Sequence, residues 1–148
     1  MEAQMAKILL IDDEDHLRNV LKAVLVRAGH EVTAVASGRA ALAANDETFF
    51  DVVITDMLTP EMDGVEVLRA FAKGSPRPKI IAITGGSQLL GMDLLSIAPA
   101  LGADGVLAKP FRAADLPDRV NRVLSGPISD ADRRAEGGVA RTARLIAR

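Results

Sequence analysis

The sequence predicts a doubly wound α/β domain, with five parallel strands in one sheet and helices on both faces. Two patterns predict it. Five short apolar runs alternate with amphipathic stretches, as repeated βαβ units require. Three of those runs, Leu9–Ile11, Val52–Ile54 and Ile80–Ile83, are unbroken in aliphatic residues, which suits strands covered on both faces. At 148 residues the chain is one domain's length and can bury a sizeable core.

The elements follow in order. Ile8–Ile11 is the first strand, and Leu17, Val20, Leu21, Val24 and Leu25 recur at helical spacing after it. Glu31–Ala36 reads as a short strand and Ala40–Ala44 as a short helix after Gly38. Val52–Thr55 is the third strand; Gly64–Ala72 is the helix that follows, with Val65, Leu68 and Phe71 as its apolar stripe. Lys79–Thr84 is the fourth strand. A glycine-rich loop, Gly85–Gly91, leads to a helix within Met92–Leu101. Gly105–Ala108 is the fifth strand and Ala113–Leu124 the last helix, where Pro117 is tolerated because it falls in the first turn. The domain is thus expected over residues 5–125. The Arg- and Ala-rich stretch 126–148 reads as a flexible tail, or as a segment that binds a partner or a surface.

Composition removes several classes of function. Four Phe and no Tyr or Trp leave little to stack nucleobases. A net charge of −2 gives no general attraction to DNA or RNA, and nothing after residue 125 reads as a DNA-binding domain. The absence of cysteine excludes disulfides, thiolate metal sites and a thiol nucleophile. No stretch reaches the ~18 apolar residues of a membrane span. The N-terminal apolar run ends in acids rather than small residues, so it is not a secretory signal, and a cytoplasmic protein is expected. The glycine-rich loop lacks the Gly-Lys-Ser/Thr ending of a nucleotide-binding loop.

Sheets of this kind carry their sites beyond the carboxyl ends of the strands. The first strand ends in Asp12-Asp13, the third in Asp56, the fourth in Thr84, and the fifth in Lys109-Pro110. Each has an ordinary explanation. Acids opening a helix cap free N–H groups and favour its dipole. Asp56 can be a surface acid, Lys109 its ion-pair partner, and Thr84 the end of a strand. Taken jointly they say more. At an effective dielectric near 20, two charges ~4 Å apart repel by roughly 4 kcal/mol, so three crowded carboxylates need a cation. Oxygen ligands with room for water suit Mg²⁺. With Lys109, the Thr84 hydroxyl and a carboxylate nucleophile, the set suits phosphoryl transfer.

Asp12-Asp13 after a strand, DMLTPEMDG around Asp56, Thr84-Gly85, and AKPF around Lys109 together resemble the receiver domain of bacterial response regulators. The resemblance covers about residues 5–125, with each signature in order. It implies the flavodoxin-like (βα)5 fold with strand order 2-1-3-4-5, and a stand-alone signalling module rather than an enzyme. Asp56 corresponds to the phospho-acceptor, taking a phosphoryl group from a sensor histidine kinase or a histidine phosphotransfer protein. Asp13 and Asp12, with Asp56 and the backbone carbonyl of Leu58, correspond to the Mg²⁺ site. Lys109 and Thr84 correspond to the lysine and the switch hydroxyl that meet the phosphoryl group. The N–H groups of Met57 and Gly85 correspond to its backbone donors, and the Lys109–Pro110 bond is typically cis.

The resemblance also implies a downstream protein partner on the face of the fourth helix, fifth strand and fifth helix. A homodimer through that face is compatible. Val106 stands where the family often has an aromatic switch, and neither Leu58 nor Gly86 offers a group to orient water. Slow loss of the phosphoryl group is therefore expected. The Thr84–Lys109 interval is longer than in compact members, either as a tolerated insertion or as a segment that orders on phosphorylation. Two other functions are weighed: a phosphorylation-independent, receiver-like binding module, and an aspartyl-phosphate phosphohydrolase. The second would want an acid where Leu58 stands. His16 and His30, each without a neighbouring His or Cys, receive no role.

Overall fold

The computed structural model describes residues 5–57, 63–85, 88–89, 92–93, 99 and 102–125. Strands β1 (Lys7–Ile11), β2 (Glu31–Val35), β3 (Val52–Asp56), β4 (Lys79–Thr84) and β5 (Gly105–Ala108) form one parallel sheet in the order 2-1-3-4-5. Helices α1 (Asp15–Arg27), α2 (Gly38–Glu47) and α3 (Asp63–Ala72), and a helix over Asp115–Leu124, connect or follow them.

Period-two alternation divides the strand side chains between two cores. Ile8, Leu10, Val52, Ile54, Ile81, Ile83 and Leu107 pack with Leu21 and Leu25 of α1 and with Leu116, Val120 and Val123 of the 115–124 helix. Leu9, Ile11, Val53, Ile80, Ala82 and Val106 face Ala41 of α2 and Val67, Leu68 and Phe71 of α3. Each fully buried Ile or Leu contributes roughly 1.5–3 kcal/mol, so the unbroken aliphatic strands hold both helix layers onto the sheet.

Three local differences from the sequence reading have physical causes. Helix α2 begins earlier than the expected Ala40, because the Ser37 hydroxyl accepts the Ala40 N–H at 3.1 Å and caps it. The last helix begins at Asp115, not Ala113, with Pro117 in its first turn as expected. Within the expected loop and the start of the expected fourth helix, Gln88–Leu89 pairs antiparallel with Met92–Asp93 as a short hairpin. The remainder of that helix, the Pro60 turn, Leu58, Gly86 and the 126–148 tail lie outside the described residues.

His30 is buried, though its sequence context suggested a turn residue without a role. Its Nδ1 accepts the Ala6 N–H at 3.1 Å, which ties the start of β1 to the turn before β2, while Nε2 finds no hydrogen-bond partner among the described residues. Burial lowers its pKa below 6.5. The folded state therefore binds fewer protons than the unfolded state in the window below pH 6.5, and stability falls as pH drops through it. The slope from this one group is at most about 1.4 kcal/mol per pH unit. Denaturant titrations at pH 7.5 and 5.5 should show a larger loss for the wild type than for His30→Asn, which keeps an acceptor but cannot titrate. Equal losses would remove His30 from the account.

Candidate functional site

Register brings the expected residues to one edge of the sheet. Asp56 ends β3 opposite Ile83, and Thr84 ends β4 opposite Ala108, the residue before Lys109. The Lys109 N–H donates to the Thr84 carbonyl at 2.6 Å, which fixes the turn after β5 to the end of β4. The Lys109–Pro110 bond in that turn is cis, as the sequence suggested. Lys109 then extends across β4, and its Nζ lies 2.8 Å from Asp56 Oδ2.

Asp12 takes the inward position at the end of β1, with only 1% of its surface exposed. Its N–H donates to the Val35 carbonyl at 3.1 Å, which continues the pairing of β1 with β2 by one residue. Its Oδ1 accepts the Glu14 N–H at 2.8 Å, but Oδ2 is buried with no hydrogen-bond partner among the described residues. Asp13 is exposed. The expected crowd of three carboxylates is accordingly a buried pair, Asp12 and Asp56, with Asp13 at its rim. Among the described residues, no three side chains are gathered that could hold a metal ion alone. Both acids follow the end of β1, in the short turn to α1, where Asp12 is buried and Asp13 is exposed.

Electrostatics distinguish the two buried acids. Burial, foremost, raises the Asp12 carboxyl above its ordinary 3.8; the Glu14 N–H opposes this, and the Asp56 charge adds to it. Burial lowers Lys109, but the hydrogen bond and charge of Asp56 outweigh it and hold the ammonium above its ordinary 10.5. Lys109 hydrogen-bonds Asp56 and its charge also acts on Asp12, whose Oδ2 has no hydrogen-bond partner among the described residues. Two buried carboxylates beside one ammonium are costly, so the arrangement suits a second cation. Mg²⁺ fits this donor set, because it takes one or two carboxylates and completes its shell with water and phosphate oxygens. The Asp12 and Asp56 carboxylates, with Asp13 beside them, are the groups that would hold it.

The other expected residues divide. Thr84 is fully buried, and its Oγ1 is unpartnered among the described residues, as a hydroxyl reserved for an incoming group would be. Gly85 lies with Lys109 at the mouth of a mostly apolar cleft of about 570 Å³, walled by Leu17 and Val20 of α1 and by Phe111. The expectation for Met57 is not met. Its N–H extends the pairing of β3 with β4, donating to the Ile83 carbonyl at 2.8 Å, so it is engaged in the sheet and not aimed at the crevice. Val106 is buried in the core facing α2 and α3, and its carbonyl accepts a hydrogen bond from the Arg119 guanidinium.

Sequence reasoning missed Arg18. Its Nη1 donates to the Asp12 carbonyl at 2.8 Å, and its Nη2 pairs with Asp15 Oδ1 at 2.6 Å. The i,i+3 spacing of Asp15 and Arg18 signalled the ion pair, but nothing in the sequence signalled the contact with Asp12.

A family model described as the response regulator receiver domain matches residues 8–121. The chain is 35% identical over 120 residues to the response regulator receiver protein CpdR of Brucella abortus, covering 81% of this chain and 98% of that protein. It is 30% identical to the sensory transduction protein RegX3 of Mycolicibacterium smegmatis, over 91% of this chain but only 58% of that longer protein. Among solved structures, the chemotaxis response regulator CheY4 of Vibrio cholerae superposes with a TM-score of 0.70 at 34% identity, covering 81% of this chain and 99% of that one.

Proposed function

The chain belongs to the response regulator receiver domain family, and from that premise we propose that it accepts a phosphoryl group on Asp56 and signals through protein contacts. Receiver domains are signalling domains of two-component systems, and phosphorylation and Mg²⁺ are general features of the family. The observation that carries the proposal is the buried acid pair with one lysine: Asp56 matched by Lys109 at 2.8 Å, and Asp12 with a carboxylate oxygen that has no hydrogen-bond partner among the described residues.

In the proposed reaction an Asp56 carboxylate oxygen attacks the phosphorus of a phosphohistidine on a sensor kinase or phosphotransfer protein. The O–P bond forms as the P–N bond breaks. The imidazole nitrogen leaves with the electron pair and takes a proton from solvent, and Asp56 becomes an acyl phosphate. Lys109 pairs with the phosphoryl oxygens as they arrive, and the Thr84 hydroxyl, which has no partner among the described residues, gains an acceptor in them. Gly85 allows close backbone approach beside them. Asp12, Asp13 and Asp56 are the side chains that would hold Mg²⁺, which would supply neutralising charge to the same oxygens.

The apolar cleft between α1 and Phe111 supports docking of a protein donor, because it opens beside Lys109. The signal would leave through the face of β5 and the 115–124 helix, within a domain spanning residues 5–125. No described helix is long and apolar enough to cross a membrane.

Intact mass after incubation with Mg²⁺ and acetyl phosphate tests the proposal. The wild type should gain one phosphoryl group and Asp56→Ala none. Equal gain by both would place the acceptor elsewhere. No gain by a wild type that binds Mg²⁺ would favour a phosphorylation-independent binding module.

A further inference from the structure

Asp12 has four polar groups, and three of them are fixed. Its N–H is held by Val35, its Oδ1 by the Glu14 N–H, and its carbonyl by Arg18. Oδ2 is buried and has no hydrogen-bond partner among the described residues. We propose that Arg18 is a positioning residue for the Mg²⁺ site, acting on the Asp12 carboxylate through the Asp12 main chain. This rests on the phosphoryl-transfer reading above.

The link from β1 to α1 is only residues 12–14, and the residue that should cap the helix does not. Glu14 makes no side-chain cap bond to α1, so the turn is not anchored from its own side chain. Arg18, one turn into the helix, supplies the anchor. Its guanidinium forks between the Asp12 carbonyl at 2.8 Å and the Asp15 carboxylate at 2.6 Å. The Asp15 half is an exposed i,i+3 pair, since Asp15 is 83% exposed, and such pairs contribute only about 0.2–0.5 kcal/mol. The Asp12 half joins helix to strand end. The Asp12 carbonyl lies in the Asp12–Asp13 peptide, next to the Asp13–Glu14 peptide whose N–H holds Oδ1, so releasing this anchor loosens the short turn that fixes the carboxylate. Arg18 bonds the Asp12 main chain and not its carboxylate, so its contact fixes geometry. Groups that orient metal ligands from behind typically change affinity by about 10–100-fold when removed.

Calorimetric titration with Mg²⁺ alone, without a phosphodonor, tests this directly. Arg18→Ala should weaken Mg²⁺ binding about 10-fold, near the lower end of that range. Asp15→Ala, which removes the ion pair and leaves the carbonyl bond, should change it less than about twofold. Arg18→Lys should fall between, because an ammonium reaches the carbonyl without the planar fork. Wild-type affinity in Arg18→Ala overturns the proposal, and so does an equal loss in Asp15→Ala. Loss in Arg18→Ala with no loss in a fully folded Arg18→Lys supports it, since charge and carbonyl contact are then restored together. The two readings fail separately. A wild type that binds Mg²⁺ but is not phosphorylated on Asp56 overturns the function and leaves the role of Arg18 measured; one that binds no Mg²⁺ overturns both.

Discussion

Lys109→Ala is expected to slow phosphoryl transfer to Asp56 by at least about 100-fold, the usual effect of removing one fixed charge aimed at developing negative charge. The side chain crosses from the turn after β5 to Asp56, and its Nζ sits 2.8 Å from Oδ2. It also matches a carboxylate that is only 4% exposed. Removing the ammonium takes an ion-pair partner from a buried carboxylate, so the variant should also lose roughly 3 kcal/mol of stability. These two effects separate in a double-mutant cycle. Asp56→Asn removes the charge that Lys109 serves, so Lys109→Ala in that background should cost far less stability than it does alone. Lys109→Met keeps the aliphatic stem and should lose transfer as fully as the alanine variant. Transfer at the wild-type rate in both variants would reduce Lys109–Asp56 to a structural ion pair, the ordinary reading of these residues. Initial rates of acetyl phosphate labelling at fixed Mg²⁺, below the melting temperature of each variant, decide it.

The strand ends were legible because aliphatic runs need both sheet faces covered, and the polar residue that stops each run must then fall at the sheet edge. Asp12, Asp56, Thr84 and Lys109 are all found there. Which acid of Asp12-Asp13 turns inward was not legible. That depends on the Asp12 N–H continuing the β1–β2 ladder to Val35, a long-range pairing no local pattern encodes. Met57 failed for the same reason, since its N–H was already committed to Ile83 across the sheet. Arg18 and His30 were missed because their partners are backbone groups, the Asp12 carbonyl and the Ala6 N–H, and every residue but proline carries both kinds. The hairpin of Gln88–Leu89 with Met92–Asp93 straddles a glycine-rich stretch whose composition reads as loop and the segment that reads as helix after it. Side-chain chemistry at strand ends is written in the sequence; the backbone commitments that aim it appear only with the register.

Gly102→Ala is expected to be strongly destabilising, at about 4 kcal/mol. Two independent terms make up that figure. Gly102 has φ +115°, where a side chain costs of order 1–3 kcal/mol. A Cβ there would also lie 2.5 Å from the Ala72 Cβ at the end of α3, an overlap that forces a shift costing roughly 1–3 kcal/mol. Little can yield nearby. The Gly102 carbonyl accepts from the Arg77 guanidinium, which also pairs with Asp104 at 2.8 Å, and the same Asp104 oxygen accepts the Ile80 N–H at 2.8 Å. This cluster joins α3, β4 and the start of β5 at the end of the sheet opposite Asp56. A domain of this size should lose about 10 °C in melting temperature, at 2–4 °C per kcal/mol. Labelling of Asp56 well below that temperature should be unchanged. Ala72→Gly removes the opposing methyl, at about 1 kcal/mol of its own for glycine in a helix. In that background Gly102→Ala should cost only the backbone term. A cost undiminished by Ala72→Gly would show that the contact with α3 is slack and that the backbone angle alone requires glycine.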